Sequence, residues 1–595
     1  MLRTPHLGAA FAALLALTFA LTAQSSPGLK GPTSTQASES EWRSSEAWRD
    51  FLREEQGEWS VTWSPATGTP KAIWGSGVPI ADWRENSLVE ARRHALALLE
   101  ANRDLLKLGT SELREDIGAR MHRVWSFKFR QFFAGLEVIG GRADVRVHML
   151  GRVPMFGSTA FQIPAGFDTN PAISAEAAWL AAWQELGEAP ALARQPAETA
   201  QPRLVIYGDV NADTLQTPRL AYEVALSNVN ADGVGSIGRS YVDAVSGEVL
   251  AFVSDKHECG MPGCTLATHL PKREVVRPLM PVPTTVTVMG WTRIGDDAYD
   301  PLVNVPMPGL EINVPNIGTR VTDENGQFVI DISSATTISI SSLNGRHHQT
   351  ISGTAAPSGS WTVNPGVATT IQLLSSSAST NQGAHTTTSW WTDRTNEWTR
   401  AILGNSSQLD TASGCTVNVN INSSCNAYYT GNSINFYQAG GGCANTAFST
   451  VISHEWGHLL DDRYGGISQT NGLSEGWGDI IGCYIVDSPI LGSGFQTSGV
   501  GIRNANNTTQ YPCSGCGVHQ AGESWMGFAW KFRNRLETTY GSRATAISLS
   551  NNLVVSTVVA VATNQQDAVF EVFVADDDDG NLSNGTPNYN DLVWA

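Results

Sequence analysis

"VISHEWGHLL", residues 451–460, is the stretch on which the reading of this chain turns. It sets His454 and His458 four apart, with Glu455 beside the first. Four residues advance a helix by about 400°, so the two histidines share one face, one turn apart. Two imidazoles at that spacing suit one Zn2+, with Glu455 on the metal's flank as a general base. Asn445 or Thr446 is expected to cap this helix. Ala447, Phe448, Val451, Ile452, Leu459 and Leu460 are expected to form its buried side. In a chain with 12 histidines the pattern also arises by chance, so it needs further ligands before it means anything.

A catalytic zinc needs a third protein ligand and an open position. "GLSEGWGDIIGCYIV", residues 472–486, follows at once, and Glu475 opens a second helical pattern with Asp479 four residues later on the same face. This arrangement resembles that of the gluzincins, and the words "HEWGH" and "SEGWGD" resemble those of the fungalysin family. The resemblance implies Glu475 as third ligand and Asp479 as the hydrogen-bond partner that orients a zinc-bound histidine. "GVHQAGESWMGFAWKF" (517–532) resembles the "VH" that opens a helix in thermolysin and fungalysin. That implies a role for His519 in stabilising an oxyanion, with Trp525, Phe528 and Phe532 facing inward; a cap or surface histidine is the other reading. "NAYYTGNSINFYQ" (426–438) resembles the strand of thermolysin-like enzymes whose Asn-Ala pair, here Asn426-Ala427, binds substrate backbone. Two features depart from thermolysin. Ser514 stands where an Asp partner for the later histidine is expected, and Tyr464 is at the wrong offset for the tyrosine found there.

The 595 residues are too many for one ordinary domain. Hydrophobic content of 41% with 16% charge fits a folded chain. A net charge of −18 argues against nucleic acid or an anionic membrane as the main partner. At the N-terminus, Arg3 precedes the apolar run "LGAAFAALLALTFAL" (7–21), which ends at Thr22 and Ala23. This is the pattern of a cleaved signal peptide (1–23), so the chain is expected to be secreted and extracellular, free of the membrane after cleavage. Eight cysteines in an exported chain read as disulfides. Cys259 and Cys264 lie close together, as do Cys415 and Cys425, and Cys513 and Cys516; Cys443 and Cys483 remain. The connectivity stays open, and "CSGC" (513–516) lacks the second CxxC of a zinc ribbon.

Residues 24–45 read as a flexible linker rich in small polar residues. "SLVEARRHALALLEANRDLL" (87–106) has helical spacing. From 121 the period becomes two, with glycine pairs at turns, and "NPAISAEAAWLAAWQEL" (170–186) returns to a helix. "FRQFFAGLEVIGGRADVRV" (129–147) resembles the propeptide motif of fungalysin and thermolysin zymogens, and the segment from Ile173 to Val253 resembles a PepSY module. Residues 46–258 are therefore expected to be a propeptide, FTP-like then PepSY-like, that acts as the enzyme's own inhibitor and chaperone. A linker (259–283) leads to a β block (284–375) resembling the carboxypeptidase-regulatory-like β-sandwiches, in which "TDENGQF" (322–328) signals a hairpin. His347 and His348 are expected on one strand, facing opposite ways. A link rich in Ser and Thr (375–388) precedes the C-terminal block, 380–595, whose first helix is expected over "WWTDRTNEWTRAILG".

The fold expected is thus α+β and multidomain: an α+β propeptide, a small β-sandwich and a thermolysin-like zincin domain. The function expected is a secreted zinc metalloendopeptidase, made as a zymogen and acting on protein or peptide substrates. The competing reading is a secreted protease inhibitor or binding protein with an inactive metal site. An acidic tail carries Asp577, Asp579 and Gly580, a candidate Ca2+ loop without the closing Glu of an EF-hand; a solvated turn is the stronger reading.

Overall fold

The computed structural model describes residues 39–186, 201–227, 235–258, 282–466 and 471–595. The expected signal peptide (1–23), Cys259 and Cys264 lie outside these residues. Among them no helix is long and apolar enough to cross a membrane. The architecture is mixed α+β.

The N-terminal block opens with helices α1 (Glu39–Arg43) and α2 (Glu46–Glu54), so the expected linker is helical from residue 39. Ser45 caps α2 by accepting from the Trp48 amide, a local signal that outweighs the polar composition. A ten-stranded sheet follows. Its strands are β1 (Trp59–Trp63), β2 (Pro70–Pro79), β3 (Glu112–Met121), β4 (Val124–Phe133), β5 (Leu136–His148), β6 (Arg152–Ser158), β7 (Arg203–Tyr207), β8 (Arg219–Ser227), β9 (Ile237–Asp243) and β10 (Val249–Ser254). Helices α3 (Leu88–Ala101) and α4 (Ala175–Glu185) cover it. The two expected modules share this sheet through β5. Ala143 to His148 pair with β6, whereas Val138 and Ile139 pair with β7. Gly140 lies between the two pairings at φ 78°, a conformation that side chains disfavour. Strand β11 (Lys256–Glu258) then leaves the sheet.

In the middle block, β12 (Val282–Thr292) pairs with β13 (Val303–Pro306), β16 (Gln327–Ile332) and β20 (Thr369–Leu373). Two further antiparallel pairs are β14 (Glu311–Val314) with β15 (Gly318–Val321), and β17 (Thr336–Ile340) with β19 (Gly359–Val363). The "TDENGQF" turn forms, with the Gly326 amide on the Asp323 carbonyl, but it joins β15 and β16, which belong to different sheets, rather than a hairpin. His347 and His348 lie in a turn, not a strand. Both are buried and bonded, His347 to Ser413 and Glu397, His348 to Ser389 and the Gln349 carbonyl. Those bonds tie the β block to the helix behind it.

The C-terminal block begins with α5 (Thr380–Leu403), ten residues earlier than expected. Ser379 and Gln382 form a reciprocal capping box, which starts a helix inside a Ser/Thr-rich stretch that composition alone reads as a link. A five-stranded sheet follows, in the order β11-β22-β23-β21-β18, where β18 is Ile351–Ser352, β21 Thr416–Ile421, β22 Ala427–Thr430 and β23 Ser433–Tyr437. Helices α7 (Ser449–Arg463), α8 (Leu473–Val486) and α9 (Val518–Tyr540) pack in sequence beside it, after the short α6 (Ser407–Ala412).

The N-terminal sheet docks on the C-terminal block. Met121, Val124 and Met155 belong to the same buried apolar cluster as Val451, Trp477 and Val572. Arg146, 1% exposed, donates to both oxygens of Glu571 at 2.6 and 3.0 Å, and Arg142 donates to the Val561 carbonyl. Removing one partner of such a buried pair typically leaves a charge unpaired, at about 3–5 kcal/mol.

Disulfides join Cys425 to Cys443 and Cys513 to Cys516, while Cys415 and Cys483 are buried thiols. Closeness in sequence therefore misleads for Cys415 and Cys425: the partner of Cys425 comes from the loop before α7.

Candidate metal centre

The histidine-bearing helix, α7, starts at Ser449, and the residue before it, Phe448, makes no side-chain cap bond. Neither Asn445 nor Thr446 is the cap, contrary to expectation. Asn445 instead accepts from the Ala447 amide, and Thr446 bonds the Tyr437 backbone. The expected apolar residues are buried, but so is every residue from Ser449 to Asp461, so α7 has no solvent face. Its neighbours come unusually close. A Cβ built on Gly457 would lie 2.8 Å from the Gly478 Cα, and one on Gly478 would lie 2.7 Å from His454 Nδ1. The glycines of both motif words thus let α8 press against α7.

That contact brings three side chains together. His454 Nε2 and His458 Nε2 are 3.1 Å apart, and Glu475 Oε2 lies 3.6 and 3.7 Å from them. Ligand atoms about 2.0–2.1 Å from a tetrahedral zinc are separated by about 3.4 Å. Both oxygens of Glu475 are buried and find no hydrogen-bond partner among the described residues. A carboxylate is rarely left so without a cation, and the donor set of two imidazoles and one carboxylate suits zinc. The residues present fit the metal.

Asp479, one turn after Glu475, accepts from His454 Nδ1 at 2.9 Å. Arg503 grips the same carboxylate from behind, with Nε on Oδ2 at 2.8 Å and Nη2 on Oδ1 at 2.7 Å. On the other ring, His458 Nδ1 meets Ser474 Oγ at 3.1 Å. Sequence reasoning missed Arg503 and Ser474; Ser474 beside Glu475 was a readable hint, whereas nothing local marks Arg503.

The electrostatics follow from these neighbours. Burial pulls the His454 imidazole down, but the bond to Asp479 and the nearby Glu475 carboxylate outweigh it and raise its pKa to about 9. Burial holds His458 well below the usual range, with the surrounding imidazoles adding to the effect. Burial alone would raise Glu475, yet His458, His454 and His519 hold it well below the usual carboxylate range. Both carboxylates are thus held in the charged form, Asp479 by Arg503 and His454 and Glu475 by the imidazoles around it.

Glu455 is fully buried on α7, next to the first histidine. His519 begins α9, 37% exposed, with Nε2 3.5 Å from Glu475 Oε2. Behind it Trp525 and Phe532 are buried and Phe528 stacks on Trp525. Ala427 opens β22 and Asn426 immediately precedes it, next to the Cys425–Cys443 bridge. β22 pairs with β23 on one side and with β11 on the other, so its outer edge is covered in this chain. Tyr464 turns away to bond Ser406. In the tail, Asp577 accepts from the Gly580 amide with Oδ2 while its buried Oδ1 finds no hydrogen-bond partner among the described residues, and Asp579 accepts from Asn581 and Asn584.

Asp479→Asn should weaken zinc affinity about 10–100-fold, because the replaced oxygen no longer carries the charge that steadies His454. Competition with a chromogenic chelator measures this; an unchanged affinity would show that Asp479 does not support the ligand.

No family model matches the chain, and no curated protein matches it. Among solved structures it is similar to the Bacillus megaterium YpeB C-terminal domain at 15% identity, over 37% of this chain and 98% of that one, with a TM-score of 0.18.

Proposed function

We propose that this chain is a secreted zinc endopeptidase made as a latent precursor. In this reading residues 380–595 are a thermolysin-like catalytic block, and residues 46–258 are an inhibitory propeptide removed on activation. The observation that carries the reading is the convergence of His454, His458 and Glu475 on one point, with Asp479 and Arg503 ordered behind them.

Zinc held there supplies a Lewis acid that activates water and polarises a peptide carbonyl. Glu455 accepts the proton of the attacking water and delivers it to the leaving amine. His519, at the rim, donates a hydrogen bond to the carbonyl oxygen as it gains charge. Asn426 and Ala427 hold the substrate backbone along the edge of β22, by the pairing that adds a strand to a sheet. No side chain needs to form a covalent bond to substrate.

Hydrolysis itself tests the reading. The processed, zinc-loaded chain should release new amino termini from casein, measured by amine labelling and mass spectrometry. Zinc-loaded processed chain that leaves casein and unstructured peptides intact would overturn it.

A further inference from the structure

Strand β11 is the last described element of the N-terminal block, and it does not pair within that block. One residue after β10 ends at Ser254, the chain crosses to the C-terminal sheet. There Lys256 pairs with Thr430, His257 with Tyr429 and Glu258 with Tyr428, antiparallel. Three residues of the N-terminal block thus occupy the outer edge of the strand that begins at Ala427.

The middle residue of the three, His257, is 0% exposed. Its ring centroid lies 4.8 Å from that of His458 and 6.4 Å from that of Tyr429. Neither of its nitrogens finds a hydrogen-bond partner among the described residues. An unsatisfied buried polar group is costly and rare, and here two nitrogens of one ring are left over. The ring sits where a ligand atom from it, one from His458 and one from Glu475 all lie within 4.8 Å of one another.

We propose that His257 is a further ligand of the metal held by His454, His458 and Glu475, and that it keeps the precursor latent. This rests on the metal-centre reading above. A catalytic zinc works through a position left open for water or substrate. An imidazole from β11 fills that position, while the backbone of β11 occupies the edge of β22 at Tyr428 to Thr430, directly beside Asn426 and Ala427. Latency then has two parts with different strengths. The three-residue pairing alone is weak, and the bond from His257 to the metal makes it hold. Cutting the chain beyond β11 is not sufficient for activity; His257 must also leave the metal.

Zinc K-edge X-ray absorption on the full-length chain, confirmed intact by mass, tests this beside His257→Ala and His257→Gln. The expected result is bound zinc in all three, with one imidazole more around the metal in the unmutated chain than in either variant. The variants should also cleave casein without processing, whereas the unmutated full-length chain should not. Equal imidazole counts in the unmutated chain and the variants would overturn the role of His257 while leaving the zinc site standing. Absence of zinc from the unmutated chain would overturn the metal-centre reading and this proposal together. If the variants do not fold, the unmutated chain decides alone: two imidazoles refute the proposal and three support it.

Discussion

Glu455→Gln is expected to lower casein cleavage by the processed chain by about 10²–10⁴-fold, the range that a positioned general base supplies. Glutamine keeps the shape and fills the same buried place on α7, so His454 and His458 keep their positions one turn apart. Zinc content should stay that of the unmutated chain, because Glu455 is not among the three converging ligands. The loss should fall on kcat with little change in KM, since the proton acceptor acts in the transition state and not in binding. Cleavage near the unmutated rate with zinc retained would show that another group takes the proton. Loss of zinc along with activity would show instead that Glu455 helps hold the metal.

Stripping zinc from the processed chain is expected to abolish cleavage, and zinc alone should restore it. The metal-free site has to hold a proton in the metal's place: His454, with its pKa raised to about 9, stays protonated at neutral pH. Binding therefore displaces that proton. The sign follows directly: below about pH 9 the proton competes, so zinc affinity rises with pH and levels off above it. One displaced proton corresponds to roughly tenfold in affinity per pH unit. Calorimetry in buffers of different ionisation enthalpy would count the proton released. Full activity after exhaustive chelation, or an affinity flat between pH 6 and 8, would contradict this account.

The candidate ligands could be read from the sequence two at a time, because each pair is local. A helix turns once in 3.6 residues, so His454 and His458, or Glu475 and Asp479, are placed relative to one another by spacing alone. What brings α7 against α8 was also written in the motif words, as Gly457 and Gly478, but their meaning appears only when each is seen to face a backbone or a ring. The early start of α5 was legible too, in Ser379 and Gln382, yet composition hid it.

The sequence by itself determined the pairs of residues that share a helical face and the alternation of the strands. Only the tertiary structure decided which strand lies beside which. Backbone amides and carbonyls carry no record of their partner, so nothing in "KHE" marks β11 for β22. The same holds for Arg503 behind Asp479, for Cys443 as the partner of Cys425, and for Arg146 against Glu571. Each of these contacts joins residues well separated along the chain, and each is fixed by burial around it rather than by local pattern. His257 is the clearest case. It stands 201 positions before His458, outside every motif, and becomes a candidate ligand only because one short strand crosses from the first sheet to the second.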